Sequence, residues 1–157
     1  MSLRSWSILC VLPPLRALGQ RKSAIPLTLG VTETILSATL GEDRTLNISL
    51  PAGYDPGRAA RYPVIYLLDG GADEDFIHIA GLVQFASFEW IGWLPPSIVV
   101  GIANVDRKRD LTHPTTIAKD KEDFPTTGGS AAFMTYIDKE VIPFVEANYR
   151  TFPDRTL

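Results

Sequence analysis

A glycine pair follows directly after an apolar run, and it is the first place where this sequence could do chemistry. Residues 64–68 are continuously apolar and end at Asp69-Gly70-Gly71. Glycine has no side chain, so its backbone can approach a substrate closely, and ligands of open α/β sheets bind beyond the carboxyl ends of strands. These three residues could therefore contact a substrate, or they could form a plain strand-to-helix turn in which Asp73 caps the next helix.

Two arginines and an aspartate follow the second apolar run, residues 98–103, and are expected at the same edge of the sheet. Arg107 or Arg109 could bind an anionic group of a substrate through a forked hydrogen bond, with Asp110 beside them. The alternative is a solvated loop, or an Arg–Asp pair that only maintains the shape of the loop. The sequence leaves both open.

The serine and histidine residues do not form a recognisable catalytic motif. The nucleophile elbow Gly-x-Ser-x-Gly is absent from the 157 residues: Ser130 follows a glycine, but alanines stand where the second glycine should be. Ser130 is instead expected near a helix start, where serine is a good cap. His113, in a loop, could act as a general base, whereas His78 is expected on a helix face, with a place at the rim of a pocket left open.

The composition provides little support for a metal site, a disulfide or nucleic-acid binding. Cys10 is the single cysteine and the two histidines lack ligand spacing, so we expect no disulfide, no metal site and no cofactor. A net charge of −3 provides no electrostatic reason to expect nucleic acid or an anionic membrane as partner. Three aromatic residues, Phe88, Trp90 and Trp93, could form a binding surface, but core packing at a helix end is expected instead.

The first 30 residues differ from the rest and are predicted to be an N-terminal extension or a signal peptide. A basic Arg4, a short apolar run and small residues before Gly19 fit a secretory signal, whereas Pro13, Pro14 and Arg16 do not. The run is too short to span a membrane. The compartment therefore stays open between periplasmic or secreted and cytoplasmic.

The remaining chain reads as one α/β domain with a mostly parallel sheet. Alternating residues 32–40 and 44–50, around a Gly/Asp turn, predict an antiparallel hairpin. Runs 64–68 and 98–103 predict strands buried on both faces, and the largely apolar segment 74–93 predicts a crossover helix covered by more than one neighbour. A polar loop at 106–128, a helix at 129–149 that Pro143 kinks or restarts, and the beginning of a strand at 155–157 complete the order.

The motifs and their order resemble the "Putative esterase" group of the α/β-hydrolase superfamily, which includes esterase-D-like enzymes and siderophore-ester hydrolases. The resemblance covers most of residues 32–157. Its motifs are Leu50-Pro51-Ala52-Gly53-Tyr54-Asp55, Arg61 to Gly71, Val99 to Asn104, Arg107 to Thr112, Gly128-Gly129, and Ile137 to Thr151.

This resemblance implies a serine esterase acting on a small-molecule ester, with Gly70 and Gly71 supplying an oxyanion-hole N–H and Asp69, Arg107, Arg109 and Asp110 near the substrate. It also implies that the strand beginning at 155–157 leads to the serine, with the acid and histidine later still. The chain by itself is then expected to lack all three catalytic groups, to be inactive alone and to self-associate. The rival interpretation is a non-catalytic binding module derived from the same fold.

Overall fold

The computed structural model describes residues 22–152 and contains a four-stranded mixed sheet in the order β1-β2-β4-β3. The predicted N-terminal extension or signal peptide, except for residues 22–30, and the predicted strand start at 155–157 lie outside the described residues. The strands are β1 Val31–Ser37, β2 Glu42–Ser49, β3 Val64–Leu67 and β4 Ile98–Ile102.

The predicted hairpin is confirmed: β1 pairs antiparallel with β2 over its whole length, from Val31 opposite Ile48 to Ser37 opposite Glu42. Gly41 stands in the turn between them with φ +70°, a conformation that costs a glycine nothing because it has no Cβ. The alternation of the hairpin places every second side chain of β2 on the same face of the sheet, so that Arg44, Leu46 and Ile48 are all fully buried.

The sheet is less parallel than the sequence predicted. In the described part, β3 pairs parallel with β4, but β2 also pairs with β4 and runs antiparallel to it. The hairpin therefore lies directly beside β4. No local pattern in the sequence predicts this neighbour, because the paired residues are far apart in the chain. All five residues of β4 are buried, as its continuous apolar run predicted.

The crossover helix α1 is shorter than expected and is covered on one side. It runs over Phe76–Ala86, with Asp75 and not Asp73 at its N-cap and no side-chain capping bond. Its buried residues are Phe76, Ala80, Val83 and Ala86, spaced for one face. Ile77, Leu82 and Phe85 are about half exposed, so the described residues cover this helix on one side, and cover by more than one neighbour stays a prediction.

The predicted loop 106–128 contains two short helices, α2 Arg107–Asp110 and α3 Ala118–Asp123. The Oδ1 atom of Asp106 accepts a hydrogen bond from the Arg109 N–H, so this side chain caps α2. The prediction of a loop over residues 106–128 is therefore wrong where these two helices form, and at α2 the capping bond from Asp106 is the physical reason.

The last helical region begins as α4 Ser130–Tyr136, continues through a π-helical segment Ile137–Val141 and ends as α5 Ile142–Asn148. Pro143 lies in the first turn of α5, as its missing N–H requires. The backbone stays helical at Tyr136, Ile137, Val141 and Ile142, so the helix continues through Pro143 by way of a π-helical segment, and the predicted restart is not found. No helix within residues 22–152 combines the length and the apolar character needed to cross a membrane.

Two apolar clusters lie on opposite faces of the sheet. The larger one joins the sheet to the α4–α5 region and includes Leu46, Ile48, Val100, Tyr136 and Val145. The smaller one is formed by α1 against the sheet and includes Phe76, Val83 and Val99. Because β3 and β4 are parallel, both end at the same edge, where the predicted glycine loop follows β3.

Candidate functional site

The Gly70 backbone lies directly against the end of β4. Its N–H donates to the carbonyl oxygen of Ile102 at 3.0 Å. A Cβ atom at this position would stand 2.3 Å from the Gly101 Cα and 2.3 Å from the Ile102 nitrogen, both of them backbone atoms. Only glycine fits here, and its N–H already has a partner in the fold.

The carbonyl of Gly70 is held by a buried side chain from β2. The Asn47 Nδ2 atom donates to this carbonyl oxygen at 2.9 Å, and the Asn47 Oδ1 atom accepts from the Thr32 hydroxyl at 2.8 Å. The Gly70–Gly71 peptide is planar and trans, so its N–H points away from its C=O. Asn47 therefore directs the Gly71 N–H away from β2.

The Gly71 N–H donates to the carboxylate of Glu74, with 2.7 Å between the nitrogen and Oε2. The other carboxylate oxygen, Oε1, accepts from Asn104 Nδ2. The glycine pair is predicted to supply one N–H to an oxyanion hole. The Gly71 N–H is the one that the sheet does not use, and it is bonded to an acceptor carrying a negative charge. This arrangement can bind an anionic oxygen.

Asp69 is the residue around which the loop after β3 and the loop after β4 meet. It has a positive φ of 53°, unusual for a residue other than glycine. Its carboxylate accepts a forked pair of bonds from Arg107, at 2.8 and 3.1 Å, and one from Asn104 at 2.8 Å. The Arg107 hydrogen bond, and after it the Asn104 hydrogen bond, holds the pKa of Asp69 below its usual value.

Arg109 and Asp110 belong to a different cluster, so the four predicted substrate-binding residues do not form one group. Asp110 is 1% exposed and pairs with Arg44 at 2.7 Å and with Arg109 at 2.7 Å. Arg109 also binds Glu42, and this hydrogen bond is the main cause that lowers the pKa of the Glu42 carboxyl. The alternative interpretation, an Arg–Asp pair that maintains the loop, describes this geometry, and Asp110 is out of a substrate's reach in it.

Arg44, Asn47, Glu74 and Asn104 were not among the predicted site residues. A signal for Arg44 was present, because it alternates with Leu46 and Ile48 and so had to face the core. Its guanidinium lies over the rings of Phe133 and Tyr136, at 5.3 and 5.4 Å from their centroids. The partners of Asn47 and Asn104 come from distant parts of the chain, and no local pattern indicates them. Glu74 binds the N–H of Gly71, three residues earlier, which is the spacing of a capping box, so a local signal for it was present.

Ser130 is the first residue of α4 and not its cap, which is Gly129. The Ser130 hydroxyl lies 3.3 Å from the Nδ1 atom of His113, which is exposed. The capping role predicted for Ser130 is therefore corrected, because a residue inside the first turn cannot cap it with its side chain as an N-cap residue does. His78 is exposed on α1, so it faces solvent there.

The aromatic residues after α1 are more exposed than core packing requires. Trp90 and Trp93 are 74% and 73% exposed, and Trp90 stacks on half-buried Phe88 with 4.5 Å between ring centroids. The prediction of core packing is therefore wrong for the two tryptophans in the described structure. A groove of about 600 Å³ lies between α1, the start of β4 and residues 27–29, at the end of the sheet away from Gly71. Among residues 22–152, no cluster of His, Cys, Asp and Glu could hold a metal ion.

Comparison with known proteins identifies relatives for most of this chain. The family model described as "Putative esterase" matches residues 37–157. Ferri-bacillibactin esterase BesA of Bacillus subtilis is 30% identical, over 78% of this chain. The crystal structure of an IroE-like serine hydrolase from Shewanella oneidensis is 37% identical over 78% of this chain, with a TM-score of 0.69. The BES protein from Bacillus cereus is 29% identical over 85% of this chain, with a TM-score of 0.64.

The matches cover much less of the relatives than of this chain. The aligned part is 46% of the Bacillus subtilis esterase, 39% of the Shewanella oneidensis protein and 52% of the Bacillus cereus protein. The chain thus spans about half the length of these relatives. The α/β class predicted from the sequence is confirmed by the solved structures.

Proposed function

Because this chain belongs to the "Putative esterase" family of the α/β-hydrolase type, we propose that the protein hydrolyses a carboxylic ester through a serine nucleophile, and that this chain supplies the oxyanion loop. In this proposal the serine attacks the ester carbonyl, the histidine moves the proton and an acid orients the histidine. The chain contains no Gly-x-Ser-x-Gly motif. We therefore propose that the serine, the histidine and the acid lie outside these 157 residues.

The observation that supports the proposal best is the bond between the Gly71 N–H and a carboxylate oxygen. An oxyanion hole needs a donor that is fixed before the negative charge develops on the substrate. The bonds of Gly70 to Ile102 and to Asn47 hold the peptide that carries the Gly71 N–H in one orientation. We assign the oxyanion donor to Gly71, and to Gly70 the role of fixing the loop against β4.

For the substrate we propose an ester-linked siderophore, as the name of the Bacillus subtilis relative indicates for that protein. The ion pair of Arg107 and Asp69 stands beside the Gly71 loop, and Arg107 is 57% exposed. A guanidinium in this position can bind an anionic group of the substrate by releasing its present partner, Asp69. Arg107 and Asp69 remain substrate-binding candidates, and Arg109 remains a candidate only for a supporting role.

The direct test compares Gly71→Pro with Gly71→Ala in a full-length protein that carries this chain, with ferri-bacillibactin and an activated aryl ester as substrates. Proline deletes the N–H, whereas alanine keeps it, and the φ of Gly71 is not in the left-handed region. Loss of one oxyanion donor typically lowers kcat by about 10²–10³-fold. We expect this loss for Gly71→Pro and a much smaller one for Gly71→Ala, with thermal unfolding measured for both variants.

The rival function, a non-catalytic binding module, makes the opposite prediction for the same assay. If the full-length protein turns over neither substrate but binds ferri-bacillibactin, the enzyme proposal fails and the binding module is favoured. If it cleaves the aryl ester and not ferri-bacillibactin, the esterase proposal stands and the siderophore substrate is excluded. Equal kcat values for Gly71→Pro and Gly71→Ala would remove Gly71 from the mechanism.

A further inference from the structure

The Gly71 N–H has one direction available to it. The Gly70 N–H is bonded to Ile102, and the Gly70 carbonyl, which shares a peptide plane with the Gly71 N–H, is bonded to Asn47. Turning this peptide would break the Asn47 bond and leave a buried carbonyl and a buried amide without partners, which is costly. Any oxygen that accepts from the Gly71 N–H must therefore lie where the carboxylate oxygen of Glu74 lies.

Glu74 fills this position with a full negative charge. Its Oε2 atom is 2.7 Å from the Gly71 nitrogen, and hydrogen bonds with an ionised partner are roughly twice as strong as neutral ones. Two negatively charged oxygens cannot both accept from one N–H at this distance, because they would repel each other in the same place. The carboxylate has to leave before charge can develop on an ester oxygen there.

Asn104 provides an anchor about which the carboxylate can move. Its Nδ2 atom donates to the other oxygen of Glu74, Oε1, and also to Asp69. Glu74 is exposed and lies two residues before the first residue of α1, so rotation of its side chain does not disturb the helix or the core. The bond to Asn104 can persist while the bond to Gly71 is released.

We propose that Glu74 controls access to the oxyanion donor: it occupies the Gly71 N–H in the free enzyme and must be displaced by the substrate carbonyl. This inference rests on the proposed function and adds a residue that sets the rate of the reaction without touching the reacting atoms. The free energy needed to displace Glu74 affects kcat/KM, because this constant compares the transition state with the free enzyme and free substrate. If Glu74 only stabilised the loop, its removal would lower kcat/KM instead of raising it.

The test replaces Glu74 by glutamine and by alanine in the full-length protein that carries this chain. Glutamine keeps the shape but offers a weaker, neutral acceptor, and alanine offers none, so kcat/KM for a neutral aryl ester should rise by about 3- to 10-fold, more for alanine. Asp75→Asn is the matched control. It removes the same charge one residue further on, from a side chain that makes no capping bond, and should change kcat/KM less than twofold.

A second measurement follows the donor itself, through the amide resonance of Gly71 in protein labelled with ¹⁵N-glycine. Loss of a charged acceptor should move this resonance upfield in both Glu74 variants and leave it in place in Asp75→Asn. An unmoved resonance, or a kcat/KM that falls or stays level in both Glu74 variants while wild type is active, overturns the inference. No turnover by wild type or any variant is instead the failure of the proposed function, and it removes this inference with it.

Discussion

Two adjacent glycines have different physical reasons for being glycine. At Gly70 a side chain is excluded by the backbone of β4, which approaches to 2.3 Å of the Cβ position. At Gly71 the nearest atoms to a Cβ are side-chain oxygens of Glu74 and Asp73, at 2.7 and 2.9 Å, and these can move. The first glycine is required by the fold, whereas at the second only side chains that can move approach the Cβ position.

This difference leads to a prediction about stability. Gly70→Ala should lower the free energy of unfolding by roughly 3 kcal/mol or more, because overpacking against backbone forces the strand to shift. Gly71→Ala should change it by less than about 1 kcal/mol. Urea denaturation of both variants in the full-length protein checks the pair. Equal losses would contradict the assignment of separate roles to these residues.

At the scale of elements, a buried group of charges joins the hairpin to the α2 and α4 helices. Arg44 of β2 is fully buried, binds Asp110 of α2 at 2.7 Å and lies over Phe133 of α4. A buried ion pair is not by itself a source of stability, since desolvation of both charges opposes their attraction. What it provides here is an orientation of α2, which begins at Arg107, and therefore of the loop before it that carries Asn104.

We expect Arg44→Met to lower the free energy of unfolding by about 3–5 kcal/mol, because it leaves the buried carboxylate of Asp110 with one partner fewer. Arg58→Met is the control: Arg58 and Asp55 form a surface pair at 3.3 Å, and such pairs contribute about 0–1 kcal/mol. Chemical denaturation of the two variants provides the comparison. A loss below about 1 kcal/mol for Arg44→Met would show that water reaches Asp110 and satisfies it.

At the scale of the whole molecule, two of the open surfaces among residues 22–152 bear on association. One edge of β3 pairs with β4. On the other edge the described residues form a single parallel bridge, between Tyr62, just before β3, and Thr151. The strand start predicted at 155–157 lies further along the chain, outside the described residues. The second open surface is the outer side of α1, where Leu82 and Phe85 are about half exposed.

We therefore expect the 157-residue chain alone to self-associate, since an unpaired strand edge and an apolar helix face both favour intermolecular contacts. The double variant Leu82→Lys/Phe85→Lys should reduce association, whereas Leu36→Lys on the hairpin, which is 76% exposed in the wild type, should leave it unchanged. Size-exclusion chromatography with light scattering at several concentrations measures the mass. A monodisperse wild-type monomer at every concentration would refute this prediction.

The sequence by itself determined the class of fold, the hairpin, the strands β3 and β4 and the position of the glycine loop, whereas burial on both faces is found for β4 and only in part for β3. Each of these depends on a local pattern: alternation for the hairpin, continuous apolar runs for β3 and β4, and a glycine pair where the run ends. The family resemblance rested on the same short motifs and is confirmed by the match over residues 37–157.

Only the tertiary structure decided which groups of the candidate site are available. Arg107 and Arg109 are two residues apart, yet the first reaches Asp69 at the surface and the second joins a partly buried cluster with Asp110. Gly70 and Gly71 are neighbours, yet Ile102 and Asn47 hold the first and Glu74 binds the second. The physical reason is that the availability of a donor or a charge depends on its partners, and the partners of Gly70 lie 23 and 32 residues away along the chain.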